Sequence, residues 1–107
     1  MPLSAAAPDE GGREQPTVAV DCNGADLGPA EVAAGAAIAA ARGARVILFG
    51  PAAELGTPAS GVEIVDAPVS IAKSADPASA VRAHPDASIV QAARSVAAGQ
   101  AQALVCA

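Results

Sequence analysis

The residues best able to do chemistry lie close together near the amino terminus. Asp21 closes the β-branched run Thr17–Asp21, and Cys22, Asn23, Gly24 and Asp26 follow it. A loop at the carboxyl end of a strand is where open α/β sheets bind their ligands. Asn23 and Gly24 can turn backbone N–H groups toward a phosphate. Equally, Asp21 and Asp26 can serve only to cap the loop and the helix after it, and the two readings weigh the same. A dinucleotide site is excluded, because Gly24 and Gly28 do not make GxGxxG and two carboxylates would repel a pyrophosphate. Further along, Arg82 offers a forked pair of donors for phosphate or an acidic protein surface, against the plainer role of a solvated helix residue. Ser88 can hydrogen-bond a ligand, although capping a helix is the stronger reading. His84 and Lys73 have no nucleophile or anion site beside them and are expected at the surface. Cys22 and Cys106 lack a His or Asp partner, so both are expected to be buried or half-buried structural thiols. No metal-ligand spacing is present. Nothing in the spacing gives any residue a proton-transfer role, so the catalytic residues stay unassigned.

The elements that must hold these residues alternate. Thr17–Asp21 predicts a strand, and Asn23, Gly24 and Gly28 supply turn chemistry. Pro29 suits a first helical turn; the run PAEVAAGAAIAAARG predicts a helix ending near Gly43. Val32, Gly35, Ala36 and Ala39 are expected to face a sheet. Residues 44–50, ARVILFG, are almost continuously apolar, as in a strand covered on both faces. AAELG predicts one short helical turn, Val62–Asp66 a third strand, and PASAVRAH a short helix opened by Pro77. Residues 87–98 predict another helix, with Ile89, Val90, Ala93, Val96 and Ala97 as its apolar stripe. ALVC is the last strand. This order predicts an α/β fold: a three-layer, doubly wound, Rossmann-like domain with a mostly parallel sheet. Residues 1–16 read as a disordered extension, leaving 17–107 as the folded part.

Composition narrows the class. The chain has 107 residues, a net charge of −5 and 52% apolar residues, but only 1% aromatic. Alanine supplies 31 positions, and Val, Ile, Leu and Phe together only 22, so an alanine-built core is thin. The six cations are scattered and Phe49 is the single aromatic, which argues against nucleic-acid binding. No apolar run approaches the ~20 residues of a transmembrane span, and the first residues lack the pattern of a signal peptide. A reducing, cytoplasmic location is the default for two cysteines. The last strand ends where a functional loop of such a fold would begin. The sequence is therefore expected to be the incomplete N-terminal portion of a larger domain.

With these elements in place, the order of short motifs resembles the amino-terminal region of the PlsX family, the phosphate acyltransferases of phospholipid synthesis. TVAVDCNGADLGPAEVAAGA is similar to the family's VAVDAMGGDxAP and the Val- and Ala-rich helix after it. VILFGP resembles its second strand, often ILVG, and VEIVDAP its third. The stretch PASAVRAHPDASIVQAARSVAAGQAQALVCA is similar to PxxAVRxKxDSSMxxAxxLVxxGxADAxVSA, which in the family runs into a GNTGA-type loop. The resemblance covers residues 17–107.

The resemblance implies transfer of a fatty acyl group from an acyl carrier protein thioester to inorganic phosphate, giving acyl phosphate. It implies no redox or metal cofactor, a homodimer for the complete protein, and peripheral membrane association for the family. Asp21, Asn23, Gly24, Asp26, Arg82 and Ser88 are the positions it marks for substrate or phosphate binding. Several cations and acidic positions of the family are replaced, at residues 73–76 and at His84, so the 107-residue chain alone is expected to be inactive. The alternatives are a non-catalytic α/β binding or interaction module and a phosphotransacetylase-like enzyme, which would take coenzyme A in place of the carrier protein.

Overall fold

The computed structural model describes residues 15–107. The expected N-terminal extension thus lies outside the described residues, except for Gln15 and Pro16, which lead into the first strand without regular structure.

Four strands and four helices alternate along the chain. They are β1 (Thr17–Asp21), α1 (Pro29–Ala41), β2 (Arg45–Gly50), α2 (Ala52–Leu55), β3 (Val62–Asp66), α3 (Pro77–Ala83), α4 (Ser88–Ala97) and β4 (Ala103–Cys106). The sheet order is β3-β2-β1-β4 and every pairing is parallel. In register, Val20 lies between Leu48 and Val105. After β3 the chain crosses to the far side of β1, so the gap between β1 and β4 is the point where the winding reverses. This is the doubly wound α/β arrangement that the alternation of elements predicts.

Strand side chains alternate between two faces, and each face has its own core. On one, Leu48, Val46 and Cys22 pack with Ala36 of α1 and Leu55 of α2. On the other, Ala19, Phe49 and Ala67 pack with Ala92 of α4 and Ala101. The first core holds the largest buried aliphatic side chain, Leu48, at 1% exposure; the second depends on alanines around Phe49.

The α1 helix starts with Pro29 at its first turn and ends at Arg42, with Gly43 at φ 105°. No side chain caps its start, so Asp26 does not have the capping role open to it in the sequence. The face that packs is Val32, Ala33 and Ala36, while Gly35 and Ala39 point outward. The expected sheet-facing set was therefore half right. A helix of nearly uniform alanine has almost no amphipathic signal, and the larger Val32 orients it. By contrast, α3 is exposed except at Ala80. Asp76 caps it: the Ser79 N–H donates to Oδ1 at 3.3 Å and the Ser79 hydroxyl to Oδ2 at 2.8 Å. These bonds hold the Asp76 carboxyl below its ordinary range.

The buried face of α4 is Ser88, Ala92 and Ser95, with Val96 against the core. Ile89, Val90, Ala93 and Ala97 turn elsewhere, so the expected single apolar stripe is split into two. No helix among the described residues is long and apolar enough to cross a membrane.

Candidate functional site

Strand β1 delivers Asp21 to the carboxyl edge of the sheet on the face that α4 covers. There it is buried, at 6% exposure. Ser88, the first residue of α4, is 1% exposed and donates its hydroxyl to Asp21 Oδ1 at 2.5 Å. The Asn23 side-chain amide donates to Ser88 Oγ at 2.9 Å and to the Ala67 carbonyl at 3.1 Å. The Asn23 backbone N–H closes the group by donating to Asp21 Oδ1 at 3.2 Å. One carboxylate, one hydroxyl and one amide thus tie β1, the loop after it, the end of β3 and the start of α4 into a single knot. A buried carboxylate needs such donors. With its hydroxyl engaged on both sides, Ser88 joins elements and caps no helix; the N-cap of α4 is Ala87, without a side-chain bond.

Beside this knot a groove of about 690 Å³ opens at the carboxyl ends of β1 and β4. Its lining is mostly apolar. Ile89, Val90, Ala93 and Ala97 of α4 form one wall, and Ile71, Pro77 and Val81 the other. Asp21, Asn23 and Gly24 lie at the sheet end, next to Cys106 and Ala107. Gly24 has φ 90°, and a Cβ there would stand 2.7 Å from the Cβ of Ala72; the opposite wall rests directly on this loop. A second hollow, of about 660 Å³, lies over Ile47, Phe49 and Glu63 on the same face and involves none of the loop residues.

The six positions marked by sequence therefore divide. Asp21, Asn23, Gly24 and Ser88 come together at one end of the groove. Asp26 sits exposed in the turn before α1, away from it. Arg82 is exposed on α3, with its guanidinium donating to Ser79 Oγ at 3.4 Å. His84 and Lys73 are exposed, as expected. Cys22 is fully buried as read, and burial, then the nearby Asp21 charge, push its thiol up to about 11. It stays protonated and is a poor nucleophile. Cys106 departs from the expectation: it is exposed and borders the groove, because β4 is an edge strand whose four residues are all exposed. Among the described residues, no three of His, Cys, Asp or Glu cluster closely enough to hold a metal ion.

Sequence reasoning passed over Arg94, Ile71 and Val81 as groove residues. The available signal was in α4, where Ile89 and Val90 are adjacent and so cannot both face the sheet. The wall opposite comes from an irregular segment with no period to read.

No curated protein matches the chain. A family model described as fatty acid synthesis protein matches residues 16–107, nearly all of the described chain, and the protein belongs to that family, the PlsX family.

Proposed function

We propose that the chain carries the acyl-binding side of a phosphate acyltransferase that moves a fatty acyl group from acyl carrier protein to inorganic phosphate. The observation that carries this reading is the position of the apolar groove: it opens where the winding of the sheet reverses, at the carboxyl ends of β1 and β4. Open α/β sheets place ligands at that point. An alkyl chain suits a trough walled by Ile71, Val81, Ile89 and Val90, and its thioester end would then meet the polar end formed by Asn23 and Gly24.

The chemistry sets the remaining demands. A phosphate oxygen attacks the thioester carbonyl carbon, the carbonyl oxygen takes up charge, and the C–S bond breaks to release the carrier thiol. Donors aimed at that oxygen and at the phosphate are needed. Gly24 and the loop around it are the proposed source of backbone donors, while Asp21, Asn23 and Ser88 hold that loop in place. Arg82 is the proposed contact for phosphate or the acidic carrier protein, and Asp26 the proposed outer edge of the site. Arg94 is the cation that borders the groove, and its guanidinium donates to the Pro85 carbonyl at 3.5 Å. One engaged cation beside a buried carboxylate is poor compensation for a phosphate. The 107 residues alone are therefore proposed to bind the acyl carrier without turnover.

The test is a titration of the isotope-labelled chain with acyl-loaded and unloaded acyl carrier protein, followed by amide chemical shifts. Acyl-dependent shifts at Ile71, Val81, Ile89 and Ala93 are expected, with acyl phosphate formation at background. Identical shifts with both forms of the carrier would overturn the acyl reading, and clear turnover would overturn the inactivity. Shifts produced by an acyl-coenzyme A and not by the carrier protein would favour the phosphotransacetylase-like alternative.

A further inference from the structure

The wall of the groove opposite α4 is built differently from the rest of the molecule. Residues 70–83 leave the body at Val69 and return through Pro85. The two ends of this excursion are drawn together by the Ser88 N–H donating to the Val69 carbonyl at 2.9 Å. At the return end, Gln91 Nε2 donates to the Asp86 carbonyl at 2.8 Å and the Arg94 guanidinium to the Pro85 carbonyl at 3.5 Å. Between these ends, every hydrogen bond found for residues 70–83 has its partner inside 70–83 or at His84 just beyond. The Ala72 N–H donates to Ser70 Oγ, the Ser74 N–H to the Ile71 carbonyl, and the Asp76, Ser79 and Arg82 contacts serve α3. All of these residues are exposed except Ser70's neighbour Ile71, which is half-buried, and Ala80, which is buried.

What holds this segment down is therefore apolar contact alone: the buried Ala80 of α3, Ile71 and Val81 along the groove, and Ala72 on the bare backbone of Gly24. Lifting it breaks no hydrogen bond to the sheet or to α4. A segment with few buried contacts and only local hydrogen bonds opens at much lower free energy than the global fold. The neck behaves in the opposite way. Ser88 is tied by its N–H to Val69 and by its hydroxyl to Asp21, and Asn23 holds both Ser88 and the Ala67 carbonyl. The segment thus hangs from a neck hydrogen-bonded to the buried Ser88 and Asp21, and rests on Gly24 and on the buried Ala80.

We propose that residues 70–83 form a hinged lid over the groove, with Asp21, Asn23 and Ser88 as the positioning residues of its hinge and the Ala72–Gly24 contact as its latch. Lifting the lid widens the groove for an acyl chain, and closure places Ile71 and Val81 on the chain. The inference that the lid closes on an acyl chain rests on the proposed function; the independent opening of the lid does not.

Hydrogen exchange read by mass spectrometry on the whole chain, with and without palmitate below its micellar concentration, tests both parts. In the free protein, the α3 amides are expected to exchange at least about tenfold faster than those of α4 and β1, equivalent to about 1.4 kcal/mol. Saturating palmitate is expected to slow α3 by about tenfold or more while leaving β2 and β3 unchanged. Equal protection of α3 and α4 in the free protein would overturn the lid. Palmitate binding without added protection at α3 would overturn closure while leaving the groove reading intact; no palmitate binding at all would overturn the groove reading and closure together. Two sets of variants address the hinge and the latch. Ser88→Ala is expected to speed exchange throughout 70–83 by about tenfold or more, because its hydroxyl makes two hydrogen bonds, one to Asp21 and one from Asn23, with Ser88→Thr restoring protection. Gly24→Ala strains its own φ 90° backbone and meets the Ala72 Cβ, so it is expected to speed exchange both in the loop after β1 and at Ile71–Ser74; adding Ala72→Gly should reverse the change at Ile71–Ser74 and not the one in the loop. Failure of the second substitution to reverse the change at Ile71–Ser74 would overturn the latch.

Discussion

The two faces of the sheet are built to different standards. The face under α1 and α2 is closed by a branched and sulfur-bearing core, Val46, Leu48, Cys22 and Leu55, packed so tightly that a Cβ on Gly50 would stand 2.8 Å from the Cys22 Cβ. The face under α4 has Phe49 among alanines, a buried polar knot, and an apolar groove beside that knot. One face is spent on holding the fold and the other on keeping space open. A chain short of large side chains can do this only by concentrating them, and Leu48 is where it does so.

Breaking that asymmetry should cost most on the closed face. Leu48→Ala is expected to destabilise the protein by about 2–5 kcal/mol, measured by urea denaturation, whereas Ile89→Ala in the groove wall should cost far less and weaken acyl binding instead. Equal losses of stability would mean that the groove is ordinary core. Next in size, Asp21→Ala leaves the Ser88 hydroxyl and the Asn23 N–H without their acceptor, at about 1–3 kcal/mol; Asp21→Asn keeps an acceptor and should lose less.

The thiols sharpen the same contrast. Cys106 should react with iodoacetamide in the native protein, and Cys22 only on unfolding, as peptide mass mapping would show. The pH dependence of stability follows from the sign of the Cys22 shift. Its thiol is held up at about 11 against an ordinary 9.0, so above pH 9 the unfolded chain gives up a proton that the folded chain keeps. The contribution of the neutral buried thiol is complete below pH 9 and is lost as pH rises toward 11; Cys22→Ala should flatten that part of the stability profile. The smallest effect is expected at Asp76→Ala, which should fray α3 in hydrogen exchange while leaving the denaturation midpoint nearly unchanged.

The strands were legible because short β-branched runs between glycines and prolines carry a strong local signal, and TVAVD, RVILFG and VEIVD needed nothing else. Gly43 marked a helix end for the same local reason, and it adopts positive φ. The orientation of α1 was not legible, since alanine on every side leaves only Val32 and Ile38 to choose a face, and Ile38 ends 59% exposed. At the site, the loop after β1 stood out by residue type. That Ser88 would meet Asp21, 67 positions away in sequence, depends on the crossover from β3 to β4, which no local pattern encodes. The groove was invisible for a related reason. It lies between an amphipathic helix and an irregular segment, and only their packing creates it.

The claim at the centre of this account is that the hollow between α4 and residues 70–83 holds an acyl chain. Photolabelling with a diazirine-bearing long-chain fatty acid, followed by peptide mapping, tests it most directly. Labels concentrated on the peptides containing Ile71, Val81, Ile89 and Val90, and displaced by acyl-loaded acyl carrier protein, are the predicted result. Labels spread over α1 and α2, or left in place by the loaded carrier, would contradict it.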